Sequence, residues 1–220
     1  SARLRSRVDL NPDLAADTRL SELRGGRGLG IARGSIEFSF DGGPPTAIDL
    51  AGADTVQDVV DRITAAINQY ETDNGVTILG PGGVGFAGGS LTVDVIGGAP
   101  NPQLTFSDIG SGTPAQDLGL SQAAFDATDA DGADLNPRLS LLTPLTALSG
   151  LTLPLESIRI RFGRANDPNN SQFTDVDLSS AETIDDLRNL IETAVPGVRV
   201  RINDAGTGID LFNEISGPAM

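Results

Sequence analysis

Three groups of residues in this chain have types and spacings that chemistry can use. Gly80-Pro81-Gly82-Gly83-Val84-Gly85 satisfies G-x-G-x-x-G after a strand-like run, the pattern of a turn that wraps a dinucleotide pyrophosphate. That chemistry needs a helix N-terminus immediately downstream. Gly88-Gly89-Ser90-Leu91-Thr92-Val93-Asp94-Val95 alternates as a strand instead, so the glycine run reads as a flexible loop and no cofactor is expected. Gly25-Gly26-Arg27-Gly28-Leu29-Gly30 is an equally weak match and reads as a turn-rich approach to a hairpin.

The second group is acidic. Asp129, Asp131 and Gly132 imitate positions three, five and six of an EF-hand calcium loop, but Ala127 and Arg138 stand at positions one and twelve, where carboxylates are required. The residues read as a solvated acidic linker and only a weak calcium candidate; Asp167-Pro168-Asn169-Asn170 likewise reads as a turn. The third group is paired carboxylates, Asp58 with Asp61 and Asp185 with Asp186, which a glycosidase would need on either side of a scissile bond. Both pairs fall in the first turn or two of a predicted helix, where negative charge meets the helix dipole favourably without any substrate.

Composition narrows the chemistry further. All fifteen basic residues are Arg, and the chain has no Lys, His or Cys. It therefore lacks the usual transition-metal ligands, the commonest general base, the Schiff-base amine and the P-loop lysine. A Ser-His-Asp arrangement is impossible, and with 4% aromatic residues and no Trp there is little to stack sugars or bases. No catalysis is expected. A net charge of −15 repels nucleic acid and anionic lipid, and no run approaches the ~20 apolar residues of a membrane span. At 220 residues and 39% hydrophobic, the chain is long enough for one or two ordinary cores.

The elements that would position these residues occur twice. Asp9-Leu10-Asn11-Pro12 returns as Asp134-Leu135-Asn136-Pro137, and Thr18, Leu20 and Leu23 return as Thr143, Leu145 and Leu148, about 125 positions on. Ser35-Ile36-Glu37-Phe38-Ser39-Phe40 answers to Ser157-Ile158-Arg159-Ile160-Arg161-Phe162, and the run from Asp49 to Val59 answers to Asp177 to Leu187. Alternation predicts a hairpin in each copy, with a turn at Asp41-Gly42-Gly43-Pro44-Pro45 in the first. Thr55 with Asp58, and Thr183 with Asp186, predict capping boxes in which Asp replaces Glu. Val56, Val59, Val60, Ile63 and Ile67 then make one stripe of a helix from about Val56 to Tyr70, and Ile184, Leu187 and Ile191 do the same in the second copy. Later strands are expected at Val76–Ile78, Leu91–Val95, Val198–Ile202 and Ile209–Leu211.

The expected fold class is α+β: two tandem β-β-α-β-β modules, each a small, mostly antiparallel sheet with one helix on one face. Residues 1–16 are expected as the tail of a preceding connector, 17–120 as the first module, 121–142 as an acidic connector and 143–220 as a second module cut short at its C-terminal end. The chain reads as a piece of a longer array. In the second module Arg159, Arg161, Asp175, Asp177, Arg199, Arg201 and Asp210 fall out of phase with the apolar set, which predicts one wet sheet face bearing an Arg and Asp ladder. Arg159, Arg161, Arg199 and Arg201 are the candidates there for a contact with a neighbouring subunit.

The series Thr18-Arg19-Leu20-Ser21-Glu22-Leu23-Arg24-Gly25-Gly26, Gly34-Ser35-Ile36, the run from Ile48 to Val59 and Ala115-Gln116-Asp117-Leu118-Gly119-Leu120 resembles the hook IN motif region of bacterial flagellins and hook-associated proteins. The second copy is similar through Thr143-Pro144-Leu145-Thr146-Ala147-Leu148-Ser149-Gly150 and the run from Asp177 to Leu187, without the glycine pair or the closing Leu-Gly-Leu. The resemblance implies an extracellular structural module of a flagellar filament, hook junction or cap, with no catalytic residue to carry over. Its partners would be other flagellar subunits, met through coiled-coil segments that these residues do not contain, so that the chain alone would be a monomer. The alternative expectation is a secreted adhesin module that binds glycans or calcium.

Overall fold

A computed structural model describes residues 3–5, 9–98, 100–121, 124–148, 150–162 and 172–214. In chain order the strands are β1 (Arg3–Arg5), β2 (Ser35–Phe40), β3 (Thr46–Asp49), β4 (Leu79–Ala87), β5 (Ser90–Val95), β6 (Leu104–Asp108), β7 (Asp131–Asp134), β8 (Ile158–Phe162), β9 (Gln172–Val176), β10 (Val198–Ile202) and β11 (Ile209–Asn213). The helices are α1 (Val56–Asn74), α2 (Pro114–Asp117) and α3 (Ile184–Ala194). Every strand pair is antiparallel and the fold is α+β. Two compact units result: Asp13–Pro137, and Ser1–Pro12 with Arg138–Met220.

In the unit of residues 13–137, β2 and β3 form the expected hairpin, with Ile36 opposite Ile48 and Phe38 opposite Thr46. The helix starts where the cap predicts. Thr55 accepts from the backbone N–H of Asp58, and Asp58 accepts in return from the N–H of Thr55. It runs to Asn74, a turn beyond Tyr70, because no residue breaks it before Gly75 takes the left-handed conformation at φ 65°. Its five stripe residues are buried, and it packs on both β3 and β4.

Several expectations change here. The glycine-rich run is no loop: it is β4, paired with β5 around a bulge between Leu79 and Val84. Its glycines make room for Asp94, which accepts from the Gly82 N–H at 2.7 Å; a Cβ on Gly80 would lie 2.5 Å from the Asp94 carboxylate. The strand expected at Val76–Ile78 starts instead at Leu79, after the Glu71 carboxylate accepts from the N–H groups of Ile78 and Leu79. Leu104–Asp108, not foreseen as a strand, lies on the second edge of β2 as β6, and β7 lies on the second edge of β5. The two hairpins therefore belong to separate three-stranded sheets, β3-β2-β6 and β4-β5-β7. The stretch expected as a solvated connector contributes Phe125 (1% exposed), Leu135 (0%) and strand β7. Its abundant Asp and Ala disguise two large apolar residues, which the core of this unit takes in.

In the other unit β8 pairs with β9, and α3 begins at an identical Thr183 and Asp186 box. The expected turn at 167–170 lies outside the described residues. The helix packs on β9 and β10, and the hairpin of β10 and β11 is joined by β1, so residues 3–5 belong to a sheet and not to a connector tail. Val176, Leu178, Ile191, Val195, Val198 and Val200 make one core cluster; Leu139, Leu145, Leu148 and Ile184 make a second, with Leu10 packed against it.

The repeated Asp-Leu-Asn-Pro is a repeated turn. Asp9 accepts from the Asn11 N–H and Asp134 from that of Asn136, and both Asn residues have positive φ, 24° and 48°. In one unit Leu14 and Leu135 donate to the carbonyls of Gly88 and Gly89 at the tip of the β4–β5 hairpin. In the other, Leu139 and Leu10 donate to Gly206 and Thr207 at the tip of the β10–β11 hairpin. The chain thus leaves one unit after Pro12 and returns to it after Pro137, so residues 13–137 are an insertion in its sequence.

Candidate functional site

The arginines predicted on one outer face are divided between two sheets. On β8, Arg159 donates through Nε and a terminal nitrogen to both carboxylate oxygens of Asp175, in register on β9, at 2.6 and 2.8 Å. That fork holds the Asp175 carboxyl below the usual range and raises the guanidinium. Arg161 lies over the ring of Phe173, 5.8 Å from its centroid. On β10, Arg199 pairs with Glu192 at 3.2 Å and Glu214 at 3.3 Å, while Arg201 stands 3.8 Å from Glu214 and 5.5 Å from the Phe212 ring centroid. Solvent screens exposed pairs of this kind, so they contribute little to stability, and Arg159, Arg199 and Arg201 are already matched by carboxylates.

Two predicted members of the face behave differently. Asp177 spends its carboxylate on a turn, accepting from the Ser179 N–H at 2.9 Å, which lowers its pKa. Asp210 is 1% exposed and does not belong to a wet face. It sits on the middle strand of its sheet, with Arg201 in register on β10 and β1 on the other side, a burial that alternation alone does not foresee.

The carboxylate pairs serve the helices. Asp58 accepts from the backbone N–H groups of Asp54 and Thr55, which lower its pKa most, and Asp61 accepts from Gln57. Asp186 caps α3 through Thr183 and Glu182, and Asp185 pairs with Arg188 at 2.6 Å. Asp129 is exposed and donates its N–H to Asp126, whose carboxylate also accepts from the N–H and hydroxyl of Thr128; those bonds lower the Asp126 pKa, the Thr128 hydroxyl first. Asp131 opens β7 opposite Thr92. Among the described residues no group of three or more acidic side chains is arranged to hold a metal ion.

One arrangement escaped the sequence reading. Asp117, at the end of α2, is 2% exposed and accepts from Arg27 Nε at 2.7 Å, the Ala32 N–H at 3.0 Å and the Thr113 hydroxyl at 3.2 Å. It ties the glycine-rich segment 25–30 to the closing run 115–120. The tie explains why Gly25, with φ 75°, has no Cβ: one would stand 2.8 Å from the Asp117 carbonyl. The signal was present as an acidic residue inside an apolar run and an Arg inside a glycine run, about 90 residues apart, a distance that local pattern does not bridge.

An open cleft of about 350 Å³ lies between β9 and α3, lined by Asp175, Val176, Asp177, Asn189, Leu190, Thr193 and Ala194. Its two carboxylates are committed to Arg159 and to the Ser179 turn, and its floor is apolar. Among the described residues no helix is long and apolar enough to cross a membrane. Comparison with protein-family models, with curated proteins and with solved structures finds no match to this chain.

Proposed function

We propose that the chain is a non-catalytic structural module of an extracellular bacterial flagellar axial protein, of the flagellin, hook-associated or filament-cap kind. The observation that carries this reading is the order of motifs: a Thr-x-Leu-x-x-Leu run, a Ser-Ile hairpin strand and an Asp-Leu run ending in a Thr and Asp cap, met in that order twice. Two findings are in keeping with it. Both copies build the same capping box and the same Asp-Leu-Asn-Pro turn, in which Asp58, Asp186, Asp9 and Asp134 accept backbone N–H groups. A chain without His, Cys or Lys, net charge −15, suits a passive, soluble surface.

The partners of such a module are other flagellar subunits, engaged through segments other than these residues, and the chain alone is a monomer. Immunogold electron microscopy of the source bacterium with an antiserum against this chain tests the assignment. Gold on the filament, hook junction or cap supports it; gold confined to the cell envelope and absent from purified flagella overturns it. A calcium titration should leave the melting temperature unchanged, whereas an adhesin site at a hundred times its dissociation constant would add about 2.7 kcal/mol of stability.

A further inference from the structure

The Thr and Asp boxes set α1 and α3 in register, so that Leu190 on α3 stands where Arg62 stands on α1, and Asp177 after β9 where Asp49 ends β3. In the unit of residues 13–137 Arg62 reaches from the helix to the strand and donates through a terminal nitrogen to the Asp49 carbonyl at 2.8 Å. A guanidinium thus bridges helix and strand there. Leu190 is too short and too apolar to make that reach, and the same place in the other unit is the open cleft of about 350 Å³ between β9 and α3.

We propose that this cleft takes up an arginine side chain from a partner protein, its methylenes on Leu190, Ala194 and Val176 and its guanidinium at the Asp177 end of β9, as Arg62 supplies from within in the other unit. The Asp175 and Asp177 carboxylates need not leave their partners, because Arg62 is held by a backbone carbonyl and not by a carboxylate. Asp177 nevertheless keeps its negative charge, since the Ser179 N–H that it accepts is neutral, and among the described residues lining the cleft none is basic. Two hydroxyl oxygens are new to this unit as acceptors. Ser180 replaces Gly52, where a Cβ would stand 2.9 Å from a terminal nitrogen of Arg62, and Thr193 in the lining replaces Ala65. Lysine is a poorer occupant, because a planar guanidinium lays its weakly hydrated face on an apolar floor while its edge donates to several oxygens. The proposal goes beyond the flagellar reading and stands without it.

The blocked peptide acetyl-Gly-Arg-Gly-amide, titrated into the whole chain and followed by backbone amide chemical shifts, tests this. Saturable shifts are expected in residues 175–180 and 189–194. The peptide with citrulline in place of arginine, which has the same shape without the charge, should bind about tenfold more weakly. Leu190→Arg should fill the cleft from within and abolish the response. Because Leu190 packs against the core, a converse variant guards against loss of the fold: Arg62→Leu, at a half-buried side chain, should open a second site and add saturable shifts in residues 47–52 and 61–66. Failure to saturate, equal binding of the two peptides, shifts spread over other surfaces, or an Arg62→Leu chain with the original site alone overturns the proposal. So does a folded Leu190→Arg chain that still binds. Concentration-dependent self-association that shifts the cleft residues would make a second copy the occupant, and would equally refute it.

Discussion

Replacing Phe125 by Ala separates a solvated connector from an integral part of the core. The side chain is 1% exposed and its ring meets that of Phe106 edge-on at 5.6 Å between centroids. Its backbone exchanges two hydrogen bonds with Leu104, at 2.9 and 2.7 Å. Those bonds survive the substitution, so the loss is the buried ring, about 3–5 kcal/mol for a Phe to Ala change with limited collapse. Tyr70 is the only Tyr, there is no Trp, and its ring lies 5.5 Å from that of Phe38, so its fluorescence reports the unit of residues 13–137. With a urea slope of about 2 kcal/mol/M, the Tyr70 midpoint should fall by about 1.5–2.5 M. Leu142→Ala, at a side chain 80% exposed, is the control and should change stability by about 0.5 kcal/mol or less. A Phe125→Ala shift no larger than that control would show that residues 121–134 are dispensable to the core and refute the reasoning.

The other predictions use the same denaturation assay. Thr55→Ala and Thr183→Ala each remove a cap that accepts a helix N–H, and each should cost about 1 kcal/mol, with the Tyr70 signal responding to the first. Acid should weaken the fold. The Asp58 and Asp186 carboxyls are held below their ordinary 3.8, the first mainly by backbone N–H groups and the second mainly by the Thr183 hydroxyl. Because these folded values are depressed, the stability they confer is present above about pH 4 and is lost as pH falls through 3.8 and below, so the D58N/D186N variant should show a flatter acid limb in thermal melts. Gly119→Ala should cost about 1–3 kcal/mol, since φ there is 69° and the new Cβ would stand 2.5 Å from the Ala133 carbonyl oxygen; a neutral result would show that β7 can shift freely.

What the sequence made legible was local. The Thr and Asp boxes, the helical stripe after Thr55 and the paired hairpins of β2 with β3 and β8 with β9 each rest on residues within one element of each other. What it hid was non-local. The alternation of Leu104 and Phe106 was readable, but nothing nearby told which strand edge it would cover. Gly80 and Gly82 suggested a loop because their reason for being glycine is the carboxylate of Asp94 on the next strand. Phe125 and Leu135 were diluted by Asp and Ala, and only the finished fold shows that they close a core. The outer face divides the same way: the pairing of Arg159 with Asp175 follows from register, whereas Asp210 is buried on a strand flanked by β1, about 200 residues away in the chain.

Leu14 and Leu135 are bonded to adjacent glycine carbonyls, so residues 13–137 begin and end at one hairpin tip. Deleting them would join Pro12 to Arg138 and write Asp-Leu-Asn-Pro-Arg-Leu once where two versions stood. The chain left behind would keep both of its own core clusters, because Leu10, Leu139, Leu145, Leu148, Val176, Ile184, Ile191 and Val200 all lie outside the excised stretch.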